Sequence, residues 1–141
     1  MSTIKVDTYL TRGGASEIAI DKLKGASSAS SISVVAEGGT NTTNIQQGLA
    51  KSWVLGSDAA ALTDSFNTAS GTDNGVGDYT YTFTTAMSSA NFTSHVTGMQ
   101  NARRYGFSEA RTTTTNRIDF RDDNETSADC SNSCAIHGDL A

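Results

Sequence analysis

Short runs in which apolar and polar residues alternate dominate the second half of the chain. The clearest run covers residues 78–85, in which Tyr79, Tyr81 and Phe83 alternate with threonines. Alternation with a period of two places one set of side chains on each face of a β-strand. Further runs of this kind cover 51–55, 92–97, 116–121 and 134–138. The pattern predicts many short antiparallel strands arranged as a sandwich or barrel.

The larger apolar residues of these runs predict the core of a β domain over residues 49–141. They are Trp53, Tyr79, Tyr81, Phe83, Phe92, Ile118 and Phe120. Turn-forming residues separate the runs, and Asp73-Asn74-Gly75-Val76-Gly77 carries the Asn-Gly signature of a tight hairpin. Antiparallel hairpins are therefore expected to connect at least some neighbouring strands.

Residues 1–24 contain two short alternating runs on either side of Gly13-Gly14. This pattern predicts a hairpin, although 16–24 also fits a helix capped by Ser16. A lone two-stranded hairpin is marginal in water, so its apolar face is expected to pack on another surface. The residues of that face are Ile4, Val6, Leu10, Ile18 and Ile20.

Residues 25–48 consist almost entirely of alanine, serine, threonine, asparagine and glycine. Such a composition is typical of a flexible linker. It also fits the thin shaft of a fibre built from several chains, because neighbouring chains would supply the apolar surface that each lacks. Both interpretations make this stretch a spacer before the β domain.

The composition supports a β-rich protein with a modest core. Threonine, serine, glycine and asparagine make up 60 of the 141 residues, and there is no proline. Threonine favours strands and the others favour turns, which argues against a helical bundle. A net charge of −5 argues against a nucleic-acid partner. No apolar run approaches the roughly 20 residues of a membrane helix, and the N-terminus lacks a signal-peptide core.

Candidate catalytic and metal-binding groups are few. His95 and His137 lie in strand patterns without the context of a nucleophile elbow, so structural roles are favoured for both. The run Asp122-Asp123-Asn124-Glu125 offers carboxylates for glycoside hydrolysis or calcium binding, but its polar neighbours favour a solvated turn. We predict no catalytic residue, no metal and no cofactor.

Cys130 and Cys134 are the two cysteines of the chain. In an extended strand their Cα atoms would lie roughly 13 Å apart, too far for a disulfide. The intervening Ser131-Asn132-Ser133 can also turn, which would allow a small local disulfide. The sequence leaves both the disulfide and the two free thiols open.

An ordered series of motifs spans nearly the whole chain. Its members are Ser2-Thr3-Ile4-Lys5-Val6-Asp7 with the Gly-Gly turn, Leu49-Ala50-Lys51-Ser52-Trp53-Val54, Asp64-Ser65-Phe66-Asn67, Thr72-Asp73-Asn74-Gly75-Val76-Gly77-Asp78-Tyr79-Thr80, Phe83-Thr84-Thr85-Ala86-Met87, Ala90-Asn91-Phe92 and His137-Gly138-Asp139-Leu140-Ala141. This series resembles virion structural proteins of marine and cyanobacterial tailed phages, of the tail-fibre-like or appendage kind.

The resemblance implies an N-terminal segment, 1–24, that docks on the particle, a spacer over 25–48, and a projecting domain over 49–141. We interpret that domain as a jelly-roll-like antiparallel β-sandwich that forms a homotrimer. The five apolar residues of the N-terminal segment would then contact other virion proteins or the sister chains. The expected location is the virion, assembled in the host cytoplasm.

The expected function is that of a non-enzymatic fibre or appendage protein that attaches to the host surface. The alternatives are a capsid decoration or cement protein, as in a head fibre, and an enzyme that degrades polysaccharide through Asp122 or Glu125. If the domain binds host glycans, Arg103, Arg104 and Tyr105 are the candidate contacts. An aromatic ring can cover the apolar side of a sugar while arginine donates hydrogen bonds to its hydroxyls.

Overall fold

The computed structural model describes residues 23, 32–35, 39–99 and 103–140. Over these residues the protein is mainly β, with antiparallel sheets and one helical turn, α1 (Ile45–Gly48). The predicted strand-rich class is thereby confirmed. The predicted N-terminal hairpin or helix, with its apolar residues Ile4, Val6, Leu10, Ile18 and Ile20, lies outside the described residues.

The described residues form ten strands in three antiparallel sheets. The strands are β1 (Ser33–Val35), β2 (Thr42–Asn44), β3 (Ala50–Gly56), β4 (Leu62–Phe66), β5 (Thr68–Gly75), β6 (Asp78–Phe83), β7 (Thr93–Gly98), β8 (Tyr105–Arg111), β9 (Thr115–Arg121) and β10 (Asn132–His137). β1 and β2 pair with each other within the predicted spacer. The first large sheet has the order β4-β3-β10-β7 and the second has the order β5-β6-β9-β8.

The inward side chains of the two large sheets meet in one core. The second sheet contributes the three aromatic residues of β6 and Ile118 and Phe120 of β9, while the first contributes Val54, Cys134 and Ile136. Six of the seven predicted core residues are buried there: Tyr79, Tyr81, Phe83, Phe92, Ile118 and Phe120. Their alternation in the sequence correctly marked the inward face of each strand.

Trp53 was predicted in the core, and this prediction is wrong. Strand β3 buries Ser52, Val54 and Gly56, so Trp53 lies half-buried on the outer face of the first sheet. The inward residue at position 56 must be small because the Tyr81 side chain reaches across from the second sheet. A Cβ atom at Gly56 would lie 1.9 Å from the Tyr81 hydroxyl oxygen. Glycine at 56 therefore fixes which face of β3 turns inward.

The predicted hairpin between β5 and β6 is confirmed, but its turn falls two residues after Asn74. Gly75 pairs with Asp78, which leaves Val76 and Gly77 in the turn. Gly77 has a φ of 73°, a left-handed conformation that glycine adopts without strain. Its N–H donates a hydrogen bond of 2.8 Å to the Asp129 carboxylate, which ties the turn to the chain between β9 and β10.

The variant Gly77→Ala is expected to lower the free energy of unfolding by more than about 1 kcal/mol, because alanine is strained at positive φ. A Cβ atom there would also lie 2.5 Å from the carbonyl oxygen of Phe120. Gly39→Ala is the matched control, since Gly39 has a φ of 74° but open space around a Cβ. Urea denaturation of both variants makes the comparison. Equal losses would contradict a role for the contact with Phe120.

Cys130 and Cys134 are free and buried. Of the two alternatives that the sequence left open, the structure has the free thiols, and the local disulfide is not formed. The intervening residues enter β10, which pairs with both β3 and β7 from Asn132 onwards. Cys134 lies within this strand, whereas Cys130 lies two residues before it begins. Burial raises the pKa of the Cys134 thiol, which disfavours the reactive thiolate.

Two buried asparagines connect the large sheets through hydrogen bonds. Asn132 accepts a bond of 2.9 Å from the Tyr81 hydroxyl and donates one of 3.1 Å to the carbonyl oxygen of Cys130. Asn116 donates a bond of 2.9 Å to the hydroxyl of Ser94. Buried amides need such partners because they have lost their hydrogen bonds to water. Neither asparagine stands out in the sequence, because polar residues fill so many positions.

Tyr79 makes the stability of the fold sensitive to alkaline pH. Its hydroxyl lies 3.1 Å from the carbonyl oxygen of Asp58 and accepts the N–H of Cys130. Burial raises the pKa of Tyr79 to about 12, whereas an unfolded tyrosine has a pKa of about 10. The folded state therefore favours the neutral phenol. This contribution to stability is complete below about pH 10 and is lost as the pH rises through the folded value.

We expect the free energy of unfolding to fall between about pH 10 and about pH 12. Tyr79→Phe, which has no hydroxyl to ionise, should lose less stability over the same interval. Urea denaturation at a series of alkaline pH values measures both proteins. Identical pH dependence of the two would contradict this assignment.

Candidate functional site

An open groove lies on the outer face of the second sheet, where β8 and β9 meet the loop that follows β9. It has a volume of about 500 Å³ and will be called the Tyr105 groove. Its lining residues are Tyr105, Phe107, Arg121, Asp122, Asp123 and Glu125. The groove therefore combines aromatic rings with charged side chains on a solvent-exposed surface.

The two aromatic rings point outward because the alternate position on β8 must be small. A Cβ atom at Gly106 would lie 2.4 Å from the ring of Phe120 in the core. Glycine at this position lets β8 pack closely on the core while its neighbours face solvent. Tyr105 is 58 % exposed and Phe107 is 40 % exposed. Large apolar rings on an outer face are available to a ligand.

Arg121 is held in place by the Phe107 ring and by Asp119. Strand pairing sets Arg121 opposite Tyr105. Its guanidinium carbon lies 5.3 Å from the centre of the Phe107 ring, within the range of a cation–π contact. Its Nη2 donates a hydrogen bond of 3.1 Å to Asp119, whose side chain is only 8 % exposed. Arg121 thus lines the groove while its charge is paired with that of Asp119.

The loop after β9 supplies the carboxylates. Asp122 accepts hydrogen bonds from the N–H groups of Asn124 at 2.9 Å and Thr126 at 3.0 Å, as a turn-stabilising aspartate does. Glu125 adopts a left-handed φ of 60°. The turn predicted for this run is confirmed. No cluster of three histidine, cysteine, aspartate or glutamate residues suited to a metal ion occurs in the described part of the chain.

Of the three predicted glycan contacts, only Tyr105 lies in the groove. Arg103 is exposed but does not line it. Arg104 lies on the opposite side of β8, where its Cβ would be 3.0 Å from a Cβ built on Gly98. Arg104 and Tyr105 therefore lie on different sides of the second sheet.

Sequence reasoning missed Phe107 and Arg121 as members of this site. A signal for Phe107 was present, because it follows Tyr105 by two residues and therefore shares its face. Arg121 ends the alternating run 116–121, but its place beside Tyr105 depends on the pairing of β8 with β9. That pairing could not be read from either strand alone.

The two histidines lie on the outer face of the first sheet. His95 and His137 pack edge to face with their ring centres 5.6 Å apart. His137 also lines a polar cleft of about 250 Å³ together with Ser88 and Asp139. The Ser88 hydroxyl donates to the backbone oxygen of Asp139 at 3.1 Å. This hydrogen bond differs from the serine–histidine bond of an activated nucleophile.

A scan against protein-family models gives no match for this chain, and searches of the curated proteins and of the solved structures give none either. Within the described residues, no helix is long and apolar enough to cross a membrane.

Proposed function

We propose that this protein is a non-enzymatic virion protein of a tailed phage that attaches to host-surface glycans through the Tyr105 groove. The observation that carries this proposal is the pair of exposed aromatic rings, Tyr105 and Phe107, in an open groove lined by charged side chains. Aromatic rings cover the apolar side of a sugar, and carboxylates accept hydrogen bonds from its hydroxyls. The motif series that resembles phage virion proteins supports the location.

The proposed particle component is a fibre or appendage that projects a trimeric β domain. Two four-stranded sheets around one core support a sandwich, and a jelly roll has the same strand count. Residues 1–24 would dock on the other virion proteins, and 25–48 would act as the spacer.

Labelling of intact virions tests the location. An antibody against residues 49–141, imaged by electron microscopy, should mark the tail or its appendages. Label spread over the capsid would instead favour a decoration or cement protein, and the next assay would be resistance of the capsid to rupture. Absence of label from intact particles would contradict an exposed appendage.

Truncation of the exposed tyrosine tests the binding site. Tyr105→Ala is expected to weaken binding to host cells at least about tenfold, because aromatic residues at the centre of a binding site carry much of the affinity. Phe66→Ala, a comparably exposed aromatic on the other sheet, is the matched control and should bind normally. Soluble protein should also compete with infection. Unchanged binding by Tyr105→Ala would contradict the site.

The carboxylates of the groove are proposed to bind sugar rather than to cleave it. Asp122 is already engaged by two backbone N–H groups of its own loop. Incubation with host polysaccharide should therefore release no reducing sugar. Release that disappears in Asp122→Ala or Glu125→Ala would overturn the non-enzymatic assignment and support a polysaccharide-degrading enzyme.

A further inference from the structure

The Tyr105 groove is surrounded by negative charge. Its lining contains three carboxylates, Asp122, Asp123 and Glu125, and one cationic side chain, Arg121. Arg121 is paired with a further carboxylate, Asp119, through hydrogen bonds of 3.2 Å from Nε and 3.1 Å from Nη2. A ligand in the groove therefore meets the uncompensated negative charge of these three carboxylates.

Arg121 is poorly placed to bind an anionic ligand. Both of its hydrogen bonds end on the same oxygen of Asp119, and the guanidinium lies over the Phe107 ring. A sulfate or carboxylate on a sugar would have to compete with Asp119 for this arginine. Such an anionic group would also approach the three carboxylates that line the groove, and the repulsion between like charges would weaken its binding.

The rim is instead rich in hydrogen-bond acceptors. The Glu125 carboxylate makes no hydrogen bond or ion pair with any described residue, and Asp123 accepts only a long bond of 3.4 Å from Asn124. An ammonium group carries three donors and no acceptor, which matches such a rim. The exposed ring of Tyr105 adds a surface that attracts a cation or covers the face of the sugar.

We infer that the Tyr105 groove binds a sugar that bears a free amino group in preference to its N-acetylated or acidic counterparts. This inference rests on the proposed attachment to glycans through the same groove. The carboxylates of Asp123 and Glu125 receive the ammonium group, and Tyr105 covers the ring.

Isothermal titration of the full chain with three matched oligosaccharides tests this preference. The probes are an oligomer of glucosamine, the same oligomer fully N-acetylated, and an oligomer of a uronic acid. The glucosamine oligomer should bind at least about tenfold more tightly than either of the others, the difference expected for one charged hydrogen bond. Its affinity should also fall with added salt, because the site is exposed.

Variants that neutralise carboxylates test whether binding depends on the groove or only on the net negative charge of the chain. Glu125→Gln combined with Asp123→Asn should abolish the preference for the amino oligomer. Asp64→Asn, an exposed carboxylate on the first sheet, should leave the preference intact. If Asp64→Asn weakens binding as much as Glu125→Gln does, the attraction is non-specific and the inference fails.

The outcomes distinguish this inference from the proposed function. Tighter or equal binding of the N-acetylated or acidic oligomer, lost in Tyr105→Ala, would overturn the amino-sugar preference while supporting glycan attachment at the groove. Failure of host cells and of all three oligomers to bind would overturn both. Preference for the amino oligomer that survives in Tyr105→Ala would place that binding outside the groove and overturn the inference.

Discussion

Truncation of Phe120 to alanine is expected to lower the free energy of unfolding by about 3–5 kcal/mol. The Phe120 side chain is 0 % exposed, and its ring centre lies 6.0 Å from that of Tyr79. Gly106 admits the ring, since a Cβ atom there would lie 2.4 Å from it. Gly106 has no side chain that could move into the cavity, so the loss should lie at the upper end.

Urea denaturation followed by circular dichroism measures this loss, with every variant at the same protein concentration. Phe66→Ala is the control: it removes an equal ring from an exposed position and should change stability by no more than about 0.5 kcal/mol. Phe120→Leu keeps most of the apolar volume, so its loss in free energy of unfolding should be smaller. This variant provides the measurement if the alanine variant does not fold. A loss below about 1 kcal/mol in Phe120→Ala would contradict a tightly packed core at this position.

The second large effect is expected at Asn132, which is 0 % exposed. Asn132→Leu removes the partners of the Tyr81 hydroxyl and of the Cys130 carbonyl group. Each buried polar group left without a partner costs about 1–3 kcal/mol. The variant should therefore be strongly destabilised although leucine adds apolar volume. The same urea denaturation gives the magnitude.

A double-mutant cycle with Tyr81→Phe isolates the hydrogen bond between the sheets. Removal of the hydroxyl also removes the need for its partner, so Asn132→Leu should cost less in the Tyr81→Phe background. The expected interaction energy is about 0.5–3 kcal/mol, the range for residues in contact. Strictly additive losses would show that this hydrogen bond contributes nothing to the packing of the sheets.

The strands themselves could be read from the sequence because their signal is local. Tyr79, Tyr81 and Phe83 alternate with threonines, and all three are buried in β6 as predicted. The same holds for Ile118 and Phe120 in β9. A period of two follows from backbone geometry alone, so it needs no knowledge of the rest of the fold.

Alternation separates two faces but does not always say which face turns inward. On β3, the size of Trp53 predicted that its face would be buried, and the structure buries the face of Ser52 and Gly56. The reason lies on the opposite sheet, where Tyr81 occupies the space beside Gly56. A core is filled by side chains from both layers, so a large residue on one strand requires a small one across from it.

By itself, the sequence determined the mainly β class and the strands β3, β6, β7, β9 and β10, and it offered Tyr105 as a candidate contact. Only the tertiary structure decided that Phe107, Arg121 and the carboxylates of the following loop surround that tyrosine, that Arg104 lies on the other side of the strand, and that Cys130 and Cys134 are kept apart. Alternation acts between neighbouring residues, whereas these arrangements depend on the register between strands far apart in the chain. That register is set by which inward side chains fit together in the shared core.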